Sequence, residues 1–183
     1  MNLTNELKLP LPIVNAIRGD DYSKGDCDFS VTELIKPVRM RALGKKWSEH
    51  LTEDVSDRIF SLFGKAMHKV LEMTADPRYC MVEKRYYANF ILPPGNRGGL
   101  KGSEQFRVGG QFDLLDYLLD KKTGILSDYK FTSRYAVANG IKPDWLAQLS
   151  VNAYLLRHNG INIKGAQIVA ILRDWSKMAA ARS

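Results

Sequence analysis

Cysteine is scarce in this 183-residue chain: Cys27 and Cys80 are the two present, with no C-x-x-C pair. Neither a zinc knuckle nor a four-thiolate iron–sulfur site can be assembled from them within one chain, so no iron–sulfur cluster is expected. A reducing, intracellular setting is the simpler expectation. Long apolar runs are also missing; no window approaches the roughly 20 residues of a membrane span. The opening stretch "MNLTNELKLPLPIVNAIRGDDY" has no basic region followed by an unbroken apolar one, which predicts a soluble, unsecreted protein with no membrane partner. There is no internal repeat and no low-complexity segment. Acidic residues are outnumbered, 20 Asp and Glu against 27 Lys and Arg, for a formal charge of +7. That balance favours a polyanionic partner, although it is also an ordinary solubility margin.

What is present suits one globular domain, since the length and the 45% hydrophobic content allow a substantial core. Residues 1–29 mix Pro10, Pro12, Gly19, Gly25 and several Asp, and read as an irregular arm pinned by contacts elsewhere. Residues 30–183 read as the single domain. It begins with Ser30 or Thr32 capping a short helix that stops before Pro37. Arg39, Arg41, Lys45 and Lys46 follow closely, either as a solvated face or as an edge that contacts phosphates.

Between Thr52 and Thr74, Val55, Ile59, Leu62, Phe63, Met67, Val70 and Leu71 recur at helical spacing and predict one long amphipathic helix. "RYCMVEKRYYANFIL" alternates as a half-buried strand does, and "PPGNRGGLKGS" is a loop. "EQFRVGGQFDLLDYLLD" and "GILSDYKFTS" predict two more strands joined by the turn-like "DKKTG". "DWLAQLSVNAYLLRHNG" predicts a helix stopped at Gly160, and "GAQIVAILRDW" a final strand. The order helix, three strands, helix, strand describes an α/β domain with a central mixed sheet flanked by helices.

The chemistry gathers at one place in this order. A hairpin brings Asp113 and Asp128 into neighbouring positions, and two carboxylates that close attract a hard divalent ion such as Mg²⁺ or Mn²⁺. Lys130 shares a strand face with Asp128 and can reach a water or the charge developing on a phosphate. A plain surface ion pair is the competing reading. His68, on the long helix with Glu72 one turn on, offers an imidazole to the same ion or is a satisfied core histidine. Gly109 and Gly110 mark a bulge, a close approach of another backbone such as DNA, or a packing constraint. Glu83 reads as an additional acidic contact from the first strand or, more simply, as an outward-facing strand carboxylate.

Taken together and in order, "GKAMHKVLE", "VGGQFD", "LSDYK" and "AQLSVNAYLL" resemble the RecB-like branch of the PD-(D/E)XK nucleases, with the lambda-type phage exonucleases beside it. The resemblance spans about residues 30 to 173 and implies a restriction-endonuclease-like core. It further implies that His68, Asp113, Asp128 and the Tyr129 carbonyl hold Mg²⁺ or Mn²⁺, that Lys130 orients the attacking water or offsets phosphate charge, and that Gln148 supports Lys130 or a phosphate. Ser30 and Thr32, in "FSVTELIKP", would meet the DNA backbone. The aromatic usual four places after the glutamine is Asn152 here, with Tyr154 two positions later. The expected activity is metal-dependent hydrolysis of DNA, as an exonuclease in recombination, repair or phage DNA processing, in the cytoplasm of a bacterial or phage-infected cell. Homo-oligomerisation or a recombination partner protein fits the same resemblance. The alternative is a non-catalytic DNA-binding or recombination-accessory protein that grips phosphates through segment 36–46 and through Arg97 and Lys101; it would show steep salt dependence without cleavage.

Overall fold

The computed structural model describes residues 2–19, 23–92, 104–118 and 120–180. In chain order the elements are β1 (Asn2–Thr4), α1 (Leu11–Arg18), β2 (Phe29–Ser30), α2 (Val31–Ile35), α3 (Val38–Lys46), β3 (Thr52–Asp54) and α4 (Ile59–Thr74). Then come β4 (Cys80–Val82), β5 (Arg85–Leu92), β6 (Glu104–Gln111), β7 (Leu114–Tyr117), β8 (Thr123–Thr132), α5 (Pro143–His158), β9 (Asn162–Leu172) and α6 (Lys177–Ala180). The chain divides into two compact units, residues 1–23 with 36–74, and residues 24–35 with 75–183. Mixed sheets flanked by helices give the α/β class expected from the sequence.

In the first unit, β1 pairs in parallel with β3, and Val14, Ile17 and Val55 are buried against Leu3, Leu9, Ile59 and Leu62. The opening stretch is thus more ordered than an irregular arm. Pro12 sits in the first turn of α1, where a missing N–H costs nothing and the fixed φ suits the helix. The long helix expected from Thr52 starts later, at Ile59, because Asp54 is committed elsewhere. Its carboxylate accepts the Glu6 N–H (2.8 Å), the Thr4 hydroxyl (2.9 Å), and the N–H and hydroxyl of Ser56 (2.9 and 2.7 Å), capping a single 3-10 turn before α4. Those donors, the Glu6 N–H foremost, hold the Asp54 carboxyl far below the usual carboxylate range.

The second unit holds two mixed sheets, in the orders β2-β6-β5 and β4-β7-β8-β9. β8 and β9 are parallel and joined through α5, a β-α-β crossover. α5 seals both sheets. Leu149, Ala153 and Leu156 join Phe112, Leu115, Leu126, Ile161 and Ile163 in one core cluster, while Leu155 joins Val31, Ala88 and Val108 in another. Ser30 is the cap of α2, as a reciprocal box: its hydroxyl accepts the Glu33 N–H (3.2 Å), and its own N–H bonds the Glu33 carboxylate (2.9 Å). Gly160, at φ +81°, ends α5 in the left-handed conformation that favours glycine.

The two long strands expected from the sequence are each bent in half. β5 pairs antiparallel with β6 from Leu92↔Glu104 to Arg85↔Gln111, and β4 pairs with β7 from Val82↔Leu114 onward in the same uninterrupted register. At the joint, the Glu83 N–H bonds the Asp113 carbonyl (3.1 Å) and the Phe112 N–H bonds the Lys84 carbonyl (3.2 Å). One antiparallel ladder therefore turns a corner from one sheet into the other. Glu83 takes the turn at φ +49°, a conformation that costs a non-glycine residue about 1–2 kcal/mol. Phe112, fully buried and stacked on Tyr86, fills the inside of the bend.

Candidate functional site

The corner sets three acids side by side. Glu83 is the register partner of Asp113 across the bend, and because Leu114 pairs with Ser127, Asp113 in turn stands opposite Asp128 of β8. Glu83 and Asp113 each bring a carboxylate oxygen to within 4.8 Å of the other. At 4.8 Å two anions repel by about 3.5 kcal/mol at an effective dielectric of 20, and less where water screens them. Like charges on directly opposed strand positions are destabilising, so this row is a place where a cation is favourable. Hydrogen bonds also steer both acids, from a side chain for Glu83 and from the backbone for Asp113. Gln111 donates its Nε2–H to Glu83 Oε2 (2.6 Å) and accepts from Arg85 (3.0 Å), while Asp113 Oδ2 accepts the Tyr129 N–H (2.6 Å).

Asp128 and Lys130 face α5, on the strand side that also carries the buried Leu126. The Asp128 carboxylate is buried and lies 2.7 Å from Lys130 Nζ, which also donates to Gln148 Oε1 on α5 at 3.1 Å. The ammonium is therefore clamped from two sides, which leaves a fixed direction for its remaining N–H. Burial, with Asp116 and Asp113 nearby, pushes the Tyr129 phenol upward, so that ring stays neutral beside the acids. Asp116 is itself pushed up by burial.

The residues expected from the sequence are distributed as follows. Asp113, Asp128, Tyr129, Lys130 and Gln148 come together in the second unit. His68 lies half-buried in the middle of α4, in the first unit, and Glu72, one turn on, pairs with Lys69 at 2.8 Å. Ser30 is buried and its hydroxyl is used by α2 and by Thr32, 3.1 Å away; Thr32 is exposed. Arg39, Arg41, Lys45 and Lys46 fall on α3, a helix with no buried residue, with Lys46 Nζ 5.2 Å from the Trp47 ring centroid. Arg97 and Lys101 lie outside the described residues. Tyr154 is half exposed and stacks on Phe90 and His158.

Glu83 is the residue that strand periodicity mis-seats. The signal is the run Glu83-Lys84-Arg85: three consecutive charges cannot alternate in and out of one straight strand. The paired glycines answer to packing within the chain. A Cβ on Gly110 would collide with Asn152 Oδ1 and lie 2.7 Å from both Leu155 Cδ1 and Val31 Cγ2; one on Gly109 would lie 2.8 Å from Cys27 Sγ. Asn152 is buried where α5 crosses β6, and its amide donates to the Gln111 carbonyl (3.3 Å) at the last residue before the corner.

No family model matches the sequence, and no curated protein does. Among solved structures the chain is similar to the crystal structure of SSO0001, with a TM-score of 0.61 and 18% identity over 89% of this chain and 71% of that one. A likeness at that identity speaks to the α/β fold. Among the described residues, no helix is long and apolar enough to cross a membrane.

Proposed function

We propose that this protein is a metal-dependent deoxyribonuclease that hydrolyses phosphodiester bonds, acting from DNA ends. The observation that carries the reading is the row Glu83, Asp113, Asp128 with Lys130 clamped beside it. The carboxylate oxygens of Glu83 and Asp113, within 4.8 Å of each other, with Asp128 next in the strand register, are the kind of donor that Mg²⁺ and Mn²⁺ prefer, so the residues fit the ion. Asp113 and Asp128, with Glu83, would hold it, and the Tyr129 carbonyl and His68 enter the proposal on the sequence pattern alone. When bound, a divalent ion supplies Lewis-acid chemistry, making a water acidic enough to attack and offsetting charge on a phosphate oxygen.

The chain's own residues do the rest. Lys130, fixed by Asp128 and Gln148, presents a cationic N–H to a non-bridging phosphate oxygen, where negative charge grows in the transition state; a preorganised donor there needs no rearrangement at the moment of reaction. Gln148 keeps that ammonium from folding wholly onto Asp128. The Tyr129 N–H, by bonding Oδ2 of Asp113, fixes the orientation of that carboxylate.

The test uses isosteres that preserve packing. Asp128→Asn and Lys130→Gln are expected to lower cleavage of linear DNA in Mg²⁺ or Mn²⁺ by at least about 100-fold, the loss typical of removing one preorganised electrostatic partner, with DNA binding retained. His68→Ala is the companion variant for the sequence-derived ligand. Full activity in both Asp128→Asn and Lys130→Gln overturns the site; a wild-type protein inert with every divalent ion and DNA form overturns the enzyme, and binding without cleavage then favours the accessory-protein alternative. Strong cutting of a covalently closed circle reverses the preference for ends.

A further inference from the structure

Beyond the acidic row, the second unit contains a cavity of about 520 Å³ at the C-terminal end of β8, bounded by Thr132, Ser133, Tyr135, Lys142, Pro143 and Arg173. We propose that this cavity is a subsite for the nucleotide next to the scissile phosphate on a single strand of DNA, with its base stacked on Tyr135 and its phosphate held by Lys142 and Arg173. The proposal deepens the nuclease reading and rests on it for the word scissile.

Position is the first argument. β8 and α5 each pass both places. Thr132 lies two residues beyond Lys130 on the same face of the strand, about 7 Å along it. On α5, which runs the opposite way, Pro143 lies five residues before Gln148, again about 7 Å along the axis. The cavity and the Lys130–Gln148 hydrogen bond are thus neighbours along both β8 and α5.

Chemistry is the second. Among the described residues that line the cavity none is acidic, and two are cationic. Another cavity, about 310 Å³ in the first unit, sets Glu53 and Asp57 against Arg58 and Lys65, with Arg58 already 2.7 Å from Glu53; its charge is internally balanced. Tyr135 is 82% exposed although it sits in a rigid turn. The turn is fixed from both sides, because Arg134 N–H bonds the Asp174 carboxylate (2.7 Å) and Arg173 N–H bonds the Thr132 carbonyl (2.9 Å). A rigidly mounted, solvent-facing ring loses little entropy when a base stacks on it. Lys142 Nζ lies 5.0 Å from the Trp145 ring centroid, which holds the amine near the mouth. The helix start adds no donor of its own at Pro143, and the Trp145 and Leu146 N–H groups bond the Lys142 carbonyl, so anion recognition falls to the two side chains. The volume suits one nucleotide rather than a duplex.

The experiment measures fluorescence anisotropy of a short dye-labelled single-stranded DNA in EDTA, where no cutting intervenes. Tyr135→Ala is expected to weaken binding roughly ten-fold, and Tyr135→Phe to leave it unchanged, since the ring is what the base stacks on. Lys142→Ala is expected to reduce the slope of log Kd against log salt by about one. A single abasic residue walked along the strand should weaken wild-type binding at one position, and Tyr135→Ala should abolish that sensitivity. Binding by Tyr135→Ala within about two-fold of wild type, or an unchanged abasic profile, overturns the subsite. Tighter binding of RNA of the same sequence overturns the DNA assignment. Because the readout needs no cleavage, an inert wild-type protein would remove the nuclease reading and still leave the strand-binding site decided by these measurements.

Discussion

Glu83 sits where two demands oppose each other. Its backbone occupies the left-handed region at a cost to any residue with a Cβ, and its carboxylate meets that of Asp113 within 4.8 Å. Glycine would remove both costs at once. Glu83→Gly is therefore expected to be about 1–2 kcal/mol more stable than wild type in EDTA by urea titration, yet to bind Mg²⁺ or Mn²⁺ at least ten-fold more weakly by calorimetry. Equal metal affinity in the two proteins would remove Glu83 from the ligand set. Asp128 and Lys130 answer differently to the sequence. Their two-residue spacing was legible as a shared face, because strand periodicity fixes side-chain direction; Gln148 as a partner of Lys130 or of a phosphate came from the family resemblance and not from periodicity. Glu83 was not legible in this way: its position follows from a backbone bend, and residue alternation reports direction only along a straight strand.

At the scale of elements, α5 and β6 approach each other at Gly110 and Asn152. Gly110→Ala has no low-cost solution, since the new methyl meets Asn152, Leu155 and Val31 on two different helices. A decrease of about 1–3 kcal/mol in stability to urea is expected, as for an overpacked core; a neutral result would mean that α5 can move away from the sheet. Asp54 organises the other unit. Its carboxyl is held far down by the Glu6 N–H first and then by Ser56, so the stability it contributes is present above the unfolded carboxylate value near 3.8 and is lost as pH falls through the lower folded value. Asp54→Asn should accordingly have a lower Tm than wild type from pH 7 down to about 4, with the gap closing under stronger acid. The start of α4 shows why this was hard to read: Val55, Ile59 and Leu62 fit a helical stripe, but the Asp54-Val55-Ser56 cap divides the stripe between a strand end, a 3-10 turn and a helix.

At the scale of the whole molecule, the order of helices and strands from α4 to β9 and the mixed character of the sheet followed from periodicity and from the glycine and proline stops, while β1, α1 and β3 did not. The partition of strands into two sheets did not, because nothing in alternation marks where a ladder changes sheet. The formal charge of +7 acts at this scale too. Binding to DNA in EDTA should weaken linearly in log Kd against log salt. Joint replacement of Arg39, Lys45 and Lys46 on α3 by alanine should make that slope shallower by about one for each phosphate the helix no longer neutralises. An unchanged slope would assign those cations to solvent.

The bent ladder also counts residues. Because Glu83, Asp113 and Asp128 are aligned by strand register and not by a local loop, deleting Lys84 alone would slide every seat on one side of the hinge by one place. If β5 slides, its side chains exchange inside for outside; if β4 slides, Glu83 leaves the row while Asp113 and Asp128 keep their places in the β7–β8 pair. Point substitutions at this corner are graded in their effect; changes of length there are all or nothing.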